Sequence, residues 1–298
     1  MATGGQGRIR FVFPALSGNY TKITLRWNRD GRTMEQYFGI FERIRNEYPD
    51  KINEMPLYYR ESTDFYDRMA RGYRDYPNFL QQARIHGGPI LELCCGTGRI
   101  TLPLLKEGFE ITAVDLSEDM LGTLKKRVSS ERRYRKYEDH LTVLCQDMTK
   151  LCLEDRYNLV IIAATSIRLM EDDFQGFFDS IYELLNPGGA FYFNFEDLPV
   201  REDEKEYLEP MNFGDLPDDT GDMVLTALQR KLDYGSKRAY VNFLELRTPG
   251  RGRQLLSHTD YRIFGAEDIR RAGEASRFRE CILQPCPDQD VIFCKLVK

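Results

Sequence analysis

The sequence Pro89-Ile-Leu-Glu-Leu-Cys-Cys-Gly-Thr-Gly-Arg-Ile-Thr-Leu-Pro103, followed by Glu110-Ile-Thr-Ala-Val-Asp-Leu-Ser117, decides the fold of this 298-residue chain. The apolar run at 90–93 is typical of a buried parallel strand, and Gly96 and Gly98 permit a tight turn into a helix. A second apolar run follows, with Asp115 at its carboxyl end. In open α/β sheets ligands bind at this edge, and an acid there holds ribose hydroxyls. The stretch therefore predicts half of a doubly wound nucleotide site.

The glycine spacing distinguishes between nucleotide cofactors. A dinucleotide loop has a third glycine three residues after the second, where this chain has Thr101. The first strand instead carries Glu92, whose carboxylate suits a bound ammonium group. S-adenosylmethionine (SAM) has an amino-acid end and a ribose but no pyrophosphate. We therefore predict SAM, rather than NAD, as the cofactor.

With Glu92-Leu-Cys-Cys-Gly-Thr-Gly98 and the spaced Asp115, the chain resembles the class I SAM-dependent methyltransferases from about Tyr66 to the C-terminus. The resemblance implies an α/β, doubly wound (Rossmann-like) sheet of seven strands. Strands predicted near 90–94, 110–115, 140–146, 157–164 and 190–195 alternate with helices, as a parallel sheet covered on both faces requires.

The resemblance also implies a cofactor site. Asp147 would bind the adenine amino group, and Leu116 and Met120 would line the ribose and adenine. Tyr66 and Tyr76 would close over the cofactor, although a tyrosine-rich helix packed on the core is the alternative. The predicted cofactor-binding residues are Tyr66, Tyr76, Glu92, Cys94, Gly96, Thr97, Gly98, Asp115, Leu116, Met120, Asp147, Met148 and Ala163.

The pattern divides the chain into three parts. Residues 1–55 are an N-terminal extension, with a hairpin over 8–28 and a helix over 33–48. Residues 56–199 and 264–298 form the SAM-binding core. Residues 200–263 are inserted: an acidic, loop-like segment to 222, then strands near 223–233, 238–247 and 254–263 in a small antiparallel sheet. The stretch from Ser257 to Ile269 resembles sugar-nucleotide N,N-dimethyltransferases and glycine N-methyltransferase-like proteins, which implies that this sheet roofs the substrate pocket.

Four residues are the catalytic candidates. His258 lies on a strand whose alternate residues share a face, and one face should look into the pocket. Histidine is the commonest general base near neutral pH, but a hydrogen-bonded surface histidine is the alternative. Arg168 would bind an acidic substrate group or pair with a local carboxylate. Asn194 and Glu196, at the carboxyl edge after the fifth strand, would touch substrate.

Composition excludes several classes of function. The net charge of −5 disfavours a nucleic-acid partner, and Ala163-Ala-Thr-Ser-Ile-Arg168 lacks the motifs of base methyltransferases. No run is long enough to span a membrane. Seven cysteines without a compact framework indicate a reducing, cytoplasmic location. No metal-ligand set is present, which disfavours metal-assisted O-methylation; a homodimer stays open.

These observations predict a SAM-dependent methyltransferase with a small-molecule acceptor, N-methylation being favoured over O-methylation. Transfer by in-line displacement requires mainly that the nucleophile be held in place and water excluded. Two alternatives stay open. One is a peptide or protein methyltransferase that docks its substrate on the N-terminal extension. The other is a non-catalytic, methyltransferase-like partner subunit, against which the retained Glu92, Gly96, Gly98 and Asp115 argue.

Overall fold

The structure is a computed structural model that describes residues 8–14, 20–26, 37–171, 173–201, 203–217, 223–246 and 254–298. Before the glycine turn it contains β1 (Arg8–Pro14), β2 (Tyr20–Arg26), α1 (Gly39–Glu47), β3 (Ile52–Pro56), α2 (Glu61–Ala70) and α3 (Tyr76–His86). The strands predicted over 8–28 are present as the antiparallel pair of β1 and β2. The turn predicted between them, and residues 33–36 of the predicted helix, lie outside the described residues.

Strands and helices alternate through the middle of the chain: β4 (Ile90–Leu93), α4 (Thr101–Lys106), β5 (Ile111–Asp115), α5 (Glu118–Ser130), α6 (Arg132–Arg135), β6 (Leu141–Cys145), β7 (Tyr157–Ile162), α7 (Phe174–Leu184) and β8 (Leu185–Phe195). The remainder contains β9 (Glu206–Leu208), β10 (Asn212–Pro217), β11 (Met223–Asp233), β12 (Arg238–Leu246), β13 (Gln254–Arg262), α8 (Ala266–Ala275), β14 (Glu280–Cys286) and β15 (Val291–Val297). All five predicted core strands are present.

The central sheet has seven strands in the order β14-β15-β8-β7-β4-β5-β6. The strands from β4 to β8 run parallel, whereas β15 is antiparallel to both of its neighbours. The order reverses at β4, so the carboxyl ends of β4, β5 and β7 meet where a doubly wound sheet binds its ligand. The predicted α/β, Rossmann-like sheet of seven strands is confirmed.

Apolar side chains cover both faces of this sheet. Leu91 and Leu93 pack with residues of α7 and α8 on one face, and Ile90 packs with residues of α3, α4 and α5 on the other. All four side chains of β4 are buried, including the carboxylate of Glu92. A strand covered on both faces reads as a continuous apolar run, which explains why the sequence located these strands well.

A second sheet has the strand order β10-β11-β12-β13-β3, with β9 also paired to β11. Its last strand comes from the N-terminal part of the chain, because β3 pairs parallel to β13. The division expected at residue 55 therefore falls inside β3. The segment 200–222, expected to be a loop, contains β9 and β10. Because this segment is acidic, its sequence did not indicate these strands, which form by backbone pairing to β11.

The two faces of the second sheet meet different parts of the molecule. Phe41 of α1 packs with Leu244 and Leu256 on one face. Phe65 of α2 packs with Val241 and Phe243 on the other, where α2 and β12 are also joined by a buried ion pair between Arg68 and Glu245. The second face therefore turns toward the carboxyl edge of the central sheet.

Candidate active site

Two adjoining cavities lie between the carboxyl edge of the central sheet and the second sheet. The loop cavity, about 500 Å³, borders the glycine turn, and the roof cavity, about 720 Å³, lies beneath the second sheet. Both volumes are in the range of small-molecule sites. Five residues line both cavities: Tyr58, Tyr66, Ser166, Leu169 and Thr259. The cavities therefore share one wall.

Asp115 anchors the glycine turn at the loop cavity. Its carboxylate accepts hydrogen bonds from the Gly96 amide at 2.8 Å and the Ser117 amide at 2.9 Å. Burial raises the pKa of Asp115, and these amides oppose the shift. Ser117 in turn caps α5, because its hydroxyl accepts from the Met120 amide at 3.3 Å. One carboxylate thus orients the turn and the start of the helix while it borders the cavity.

The two glycines of the turn have different roles. A Cβ on Gly98, whose φ is +89°, would lie 2.4 Å from Leu124 Cδ1 and 3.1 Å from Leu102 Cγ. A Cβ on Gly96, whose φ is +55°, would have only Tyr66 Cε1 nearby, at 3.9 Å. Only Gly96 lines the loop cavity. Gly98, expected to approach the ligand, instead allows α4 and α5 to pack.

Alanine substitutions separate these two roles. Gly98→Ala combines an unfavourable φ with overpacking, so we expect the free energy of unfolding to fall by about 3 kcal/mol. Gly96→Ala needs only the left-handed conformation, which costs about 1 kcal/mol. Urea titration of both variants measures the difference. Equal losses of stability would contradict the assignment of Gly98 to helix packing.

The residues predicted for the adenine and ribose also border the loop cavity. Asp147 Oδ1 accepts from the amide and the hydroxyl of Thr149, both at 2.9 Å, which fixes the carboxylate. Leu116 is 62% exposed and Met120 is buried, so the loop cavity has one apolar side chain near the protein surface and one in the interior. Cys94 and Met148 also line this cavity, with Cys94 Sγ 3.4 Å from Met148 Sδ.

Three predicted cofactor residues lie behind this wall. Glu92 is buried beneath the turn, where Oε2 accepts from the Thr101 hydroxyl at 2.6 Å, and burial raises its pKa to about 8. The Thr97 hydroxyl donates to Asp67 at 2.5 Å. Like these two, Ala163 is buried and is not among the residues that line either cavity. The side chains of Glu92 and Thr97 therefore support the turn, and that of Ala163 packs in the apolar core.

The tyrosines ahead of the core are only partly where the sequence suggested. Tyr66 lines both cavities and packs edge-on against Tyr58, with ring centroids 5.4 Å apart. Tyr76 begins α3 and packs on the central sheet, because it shares a helix face with Phe79 and Ala83. Tyr73, which sequence reasoning missed, lines the roof cavity in its place. Helical periodicity from Tyr76 onward was the signal that could have excluded Tyr76.

Seven aromatic side chains line the roof cavity, together with a charged cluster around Arg230. Arg230 donates to Glu196 at 2.6 Å, to Glu209 at 2.5 Å and to the Tyr261 hydroxyl at 2.9 Å. Burial lowers the pKa of Arg230, but the two carboxylates raise it further, so the net shift is upward. Glu196 therefore borders the cavity as predicted, held by an arginine. The aromatic lining residues are Tyr58, Phe65, Tyr66, Tyr73, Phe213, Phe243 and Tyr261.

The Arg168 side chain joins separate backbone segments by hydrogen bonds. Its guanidinium donates to the carbonyl of Arg262 at 2.7 Å, to that of Phe264 at 3.3 Å and to that of Glu196. Burial lowers its pKa to about 10, so it stays charged at neutral pH. The hydrogen bonds join the end of β8 to the segment between β13 and α8. Arg168 also lines the roof cavity, so its predicted contact with an acidic substrate group stays a prediction, whereas these hydrogen bonds go to backbone carbonyls.

Asn194 also acts on the backbone. It is buried, its Oδ1 accepts from the Thr165 amide at 3.0 Å, and its Nδ2 donates to Asp75 at 3.2 Å. It is not among the lining residues of either cavity. The predicted contact with substrate is therefore replaced by support of the turn after β7.

His258 faces away from both cavities. Its ring packs edge-on against Tyr37, with centroids 5.2 Å apart, on the face of the second sheet that α1 covers. The alternate residues Thr259 and Tyr261 face the cavities. The prediction of His258 as general base is wrong in position, because the sequence could not tell which face of β13 is the inner one.

The position of His258 predicts a pH effect on stability. Burial lowers its pKa to about 4, whereas a histidine in the unfolded chain titrates near 6.5. Between these values the unfolded state binds more protons, so stability falls as the pH decreases from about 6.5 to 4. We expect His258→Gln to flatten this part of the curve and to leave ligand binding unchanged. Urea titrations across this pH range measure it; an unchanged slope would contradict the assignment.

No group of three or more His, Cys, Asp or Glu among the residues that the structure describes could hold a metal ion. No helix of the described chain is long and apolar enough to cross a membrane. The seven cysteines are all free thiols.

Sequence comparison identifies relatives of the core. Residues 90–189 match the family described as "Methyltransferase domain". YqeM of Bacillus subtilis (strain 168) is 29% identical over 143 residues, which are 46% of this chain and 55% of YqeM. The malonyl-[acyl-carrier protein] O-methyltransferase of Priestia megaterium is 35% identical over 113 residues, 35% of each chain. The chain thus spans about half or less of the length of these curated relatives.

Solved structures share the fold over more of the chain. CalS10, a SAM-bound amino pentose methyltransferase from Micromonospora echinaspora, has a TM-score of 0.59 at 15% identity, covering 83% of this chain and 100% of CalS10. The glycopeptide N-methyltransferase MtfA, complexed with S-adenosyl-L-homocysteine (SAH), has a TM-score of 0.56 at 20% identity, covering 88% and 98%. Residues 90–189 thus match a methyltransferase domain, and the wider chain shares the fold of these SAM- and SAH-bound methyltransferases.

Proposed function

We propose that this chain binds SAM in the loop cavity and transfers its methyl group to a small-molecule acceptor in the roof cavity. The observation that carries the proposal is the shared wall, because Tyr66, Ser166 and Thr259 border both cavities. Because these residues border both cavities, a group bound in one cavity can approach a group bound in the other beside them. Methyl transfer needs this kind of contact between cofactor and acceptor.

The donor set of the loop cavity suits SAM. The carboxylate of Asp115 would accept from ribose hydroxyls, and Asp147 would accept from the adenine amino group. Leu116 and Met120 would pack against the nucleoside, and Gly96 leaves space for it. When bound, SAM supplies a methyl group that its sulfonium already makes electrophilic.

The residues at the shared wall would orient the acceptor and exclude water. Burial raises the pKa of Tyr58, Tyr66 and Tyr261, so these hydroxyls stay neutral and their rings present apolar surface. Holding a nucleophile in line can supply about 7–11 kcal/mol of a reaction barrier. The chain would therefore act mainly by positioning.

The charges of the roof cavity favour an amine over a hydroxyl as acceptor. Glu196 and Glu209 are both paired with Arg230, and His258 lies on the other face of the sheet. Among the described residues, the five that form the shared wall include no carboxylate or histidine, and Asp290 is the one lining carboxylate of the roof cavity that is not paired with Arg230. An amine also reacts only in its neutral form, but an ammonium group loses its proton far more readily than an alcohol hydroxyl does, so water can accept that proton before the transfer. MtfA is named as an N-methyltransferase and the Priestia relative as an O-methyltransferase.

The cavity volume of about 720 Å³ suits a small molecule better than a folded protein.

Binding and transfer assays test the proposal in two steps. Calorimetry with SAM and SAH should show one site per chain. Transfer of radiolabelled methyl from SAM to matched primary amines, phenols, carboxylic acids and amine-bearing peptides should then label the small amines most strongly.

Each step has its own negative result. Absence of SAH binding would overturn the cofactor assignment. Binding followed by preferential labelling of phenols or acids would overturn the preference for nitrogen. Preferential labelling of the peptides would favour the peptide methyltransferase, and binding without transfer to any acceptor class would favour the non-catalytic subunit.

A further inference from the structure

Asp75 is a buried carboxylate that the proposed chemistry does not use. It is 1% exposed and lies at the N-cap of α3. An aspartate at this position ordinarily accepts hydrogen bonds from the first amides of its helix, but the Asp75 side chain makes no such bond. Its oxygens point instead toward the central sheet. The helix α3 therefore has no side-chain cap, and the Asp75 carboxylate is hydrogen-bonded to other segments instead.

The partners of Asp75 come from three other segments. Arg99, the residue after Gly98, donates through both terminal nitrogens, with Nη2 at 2.9 Å from Oδ2. The Ala164 amide donates to Oδ2 at 3.4 Å, and Asn194 Nδ2 donates to it at 3.2 Å. One carboxylate thus joins the start of α3, the glycine turn, the turn after β7 and the end of β8.

The turn after β7 needs this support. Ala164 and Thr165 have φ values of +53° and +59°, in the left-handed region that side chains rarely adopt. The amide of Ala164 is bonded to Asp75, and that of Thr165 to Asn194, which Asp75 also contacts. Both residues line the roof cavity, and the next residue, Ser166, lines both cavities. The shared wall at Ser166 therefore follows a turn whose backbone amides are hydrogen-bonded to the side chains of Asp75 and Asn194.

We propose that Asp75 is a positioning residue that fixes the glycine turn and the Ala164–Thr165 turn relative to each other, so that the two cavities meet in one geometry. Its importance for catalysis rests on the function proposed above; its effect on the turn does not. Arg99 carries the link toward the cofactor side, and its guanidinium also lies 5.0 Å from the Tyr73 ring centroid at the roof cavity.

The experiment is hydrogen exchange of the ligand-free, full-length chain, read by mass spectrometry over overlapping peptides. Asp75→Asn keeps the shape but loses the charge that holds Arg99. We expect exchange at 163–166 to become at least about tenfold faster, with β4 and β5 unchanged. Asp155→Asn, an exposed aspartate, is the matched control. Unchanged exchange at 163–166 would overturn the proposal, as would an equal increase in every segment.

A second variant separates the two links. Arg99→Lys keeps the charge pair but not the paired donors, so it should leave the exchange of 163–166 unchanged. Arg99→Lys also tests the proposal if Asp75→Asn fails to fold. Faster exchange at 163–166 in a folded Arg99→Lys chain would overturn it, because Asp75 would then not hold the turn by itself.

Kinetics then test the catalytic consequence. With whichever acceptor the transfer screen identifies, Asp75→Asn should lower kcat about 100-fold while KM for SAM changes less than about threefold. A merely structural role would lower the active fraction, not the kcat of folded enzyme counted by SAH binding. If the wild-type chain binds no SAH, the proposed function fails while the exchange result still stands.

Discussion

Replacing Asp115 with alanine is expected to weaken SAH binding at least about 100-fold. Asp115 is the one carboxylate that both borders the loop cavity and holds the Gly96 and Ser117 amides. A hydrogen bond to a charged group contributes about 1.5–3 kcal/mol, and a ribose diol would make two of them. Each tenfold in affinity is about 1.4 kcal/mol. Calorimetry with SAH measures the loss directly.

Two controls make this result specific. Asp139→Asn removes an exposed carboxylate that lines neither cavity, and should leave SAH affinity unchanged. Asp115→Asn keeps one acceptor oxygen, so its affinity should fall between that of wild type and that of Asp115→Ala. If the alanine variant folds, judged by circular dichroism, and binds SAH like wild type, the loop cavity is not the cofactor site.

Glu245→Gln is expected to lower the free energy of unfolding by about 3–5 kcal/mol. Glu245 is 1% exposed and Arg68 is 6% exposed, so the substitution leaves a buried guanidinium without its ionic partner. Arg68 lies on α2 and Glu245 on β12, so the pair joins the helix before the core to the second sheet. Urea titration at neutral pH measures the loss.

The charge, rather than the shape, should account for this effect. The double variant Arg68→Met/Glu245→Met removes both charges and should recover most of the lost stability, because an apolar pair needs no desolvation. Glu107→Gln breaks the exposed pair with Arg84, at 2.8 Å, and should change stability by less than about 1 kcal/mol. A loss below about 1 kcal/mol for Glu245→Gln would show that the pair is not buried in solution.

The sequence was most informative where structure depends on near neighbours. The strands around Glu92 and Asp115 were located because a strand buried on both faces needs a continuous apolar run. Asp115 was placed at the carboxyl edge of the sheet by the rules of sheet topology alone. The positions of Leu116, Met120, Asp147 and Met148 beside it were implied by the resemblance to class I SAM-dependent methyltransferases.

The sequence was least informative where two faces or two partners competed. Alternation along β13 predicted two faces, but only the packing of α1 against Tyr37 and Leu256 showed which one His258 occupies. Tyr73 and Tyr76 are three residues apart in one tyrosine-rich segment, and the start of α3 decides which one packs on the sheet. The first choice is not encoded in a local pattern, and for the second only the helical periodicity after Tyr76 gives a local signal.

The glycine turn, the alternation of strands and helices, and the spaced acids were determined by the sequence alone, because each follows from a few adjacent residues. The roles of Arg168, Asn194 and Asp75 were decided only by the tertiary structure. Arg168 bonds to a carbonyl 96 residues away, and Asp75 to an amide 89 residues away. Contacts over such separations form only when the whole chain folds, so a polar residue's partners, and hence its role, cannot be read from its neighbours in sequence.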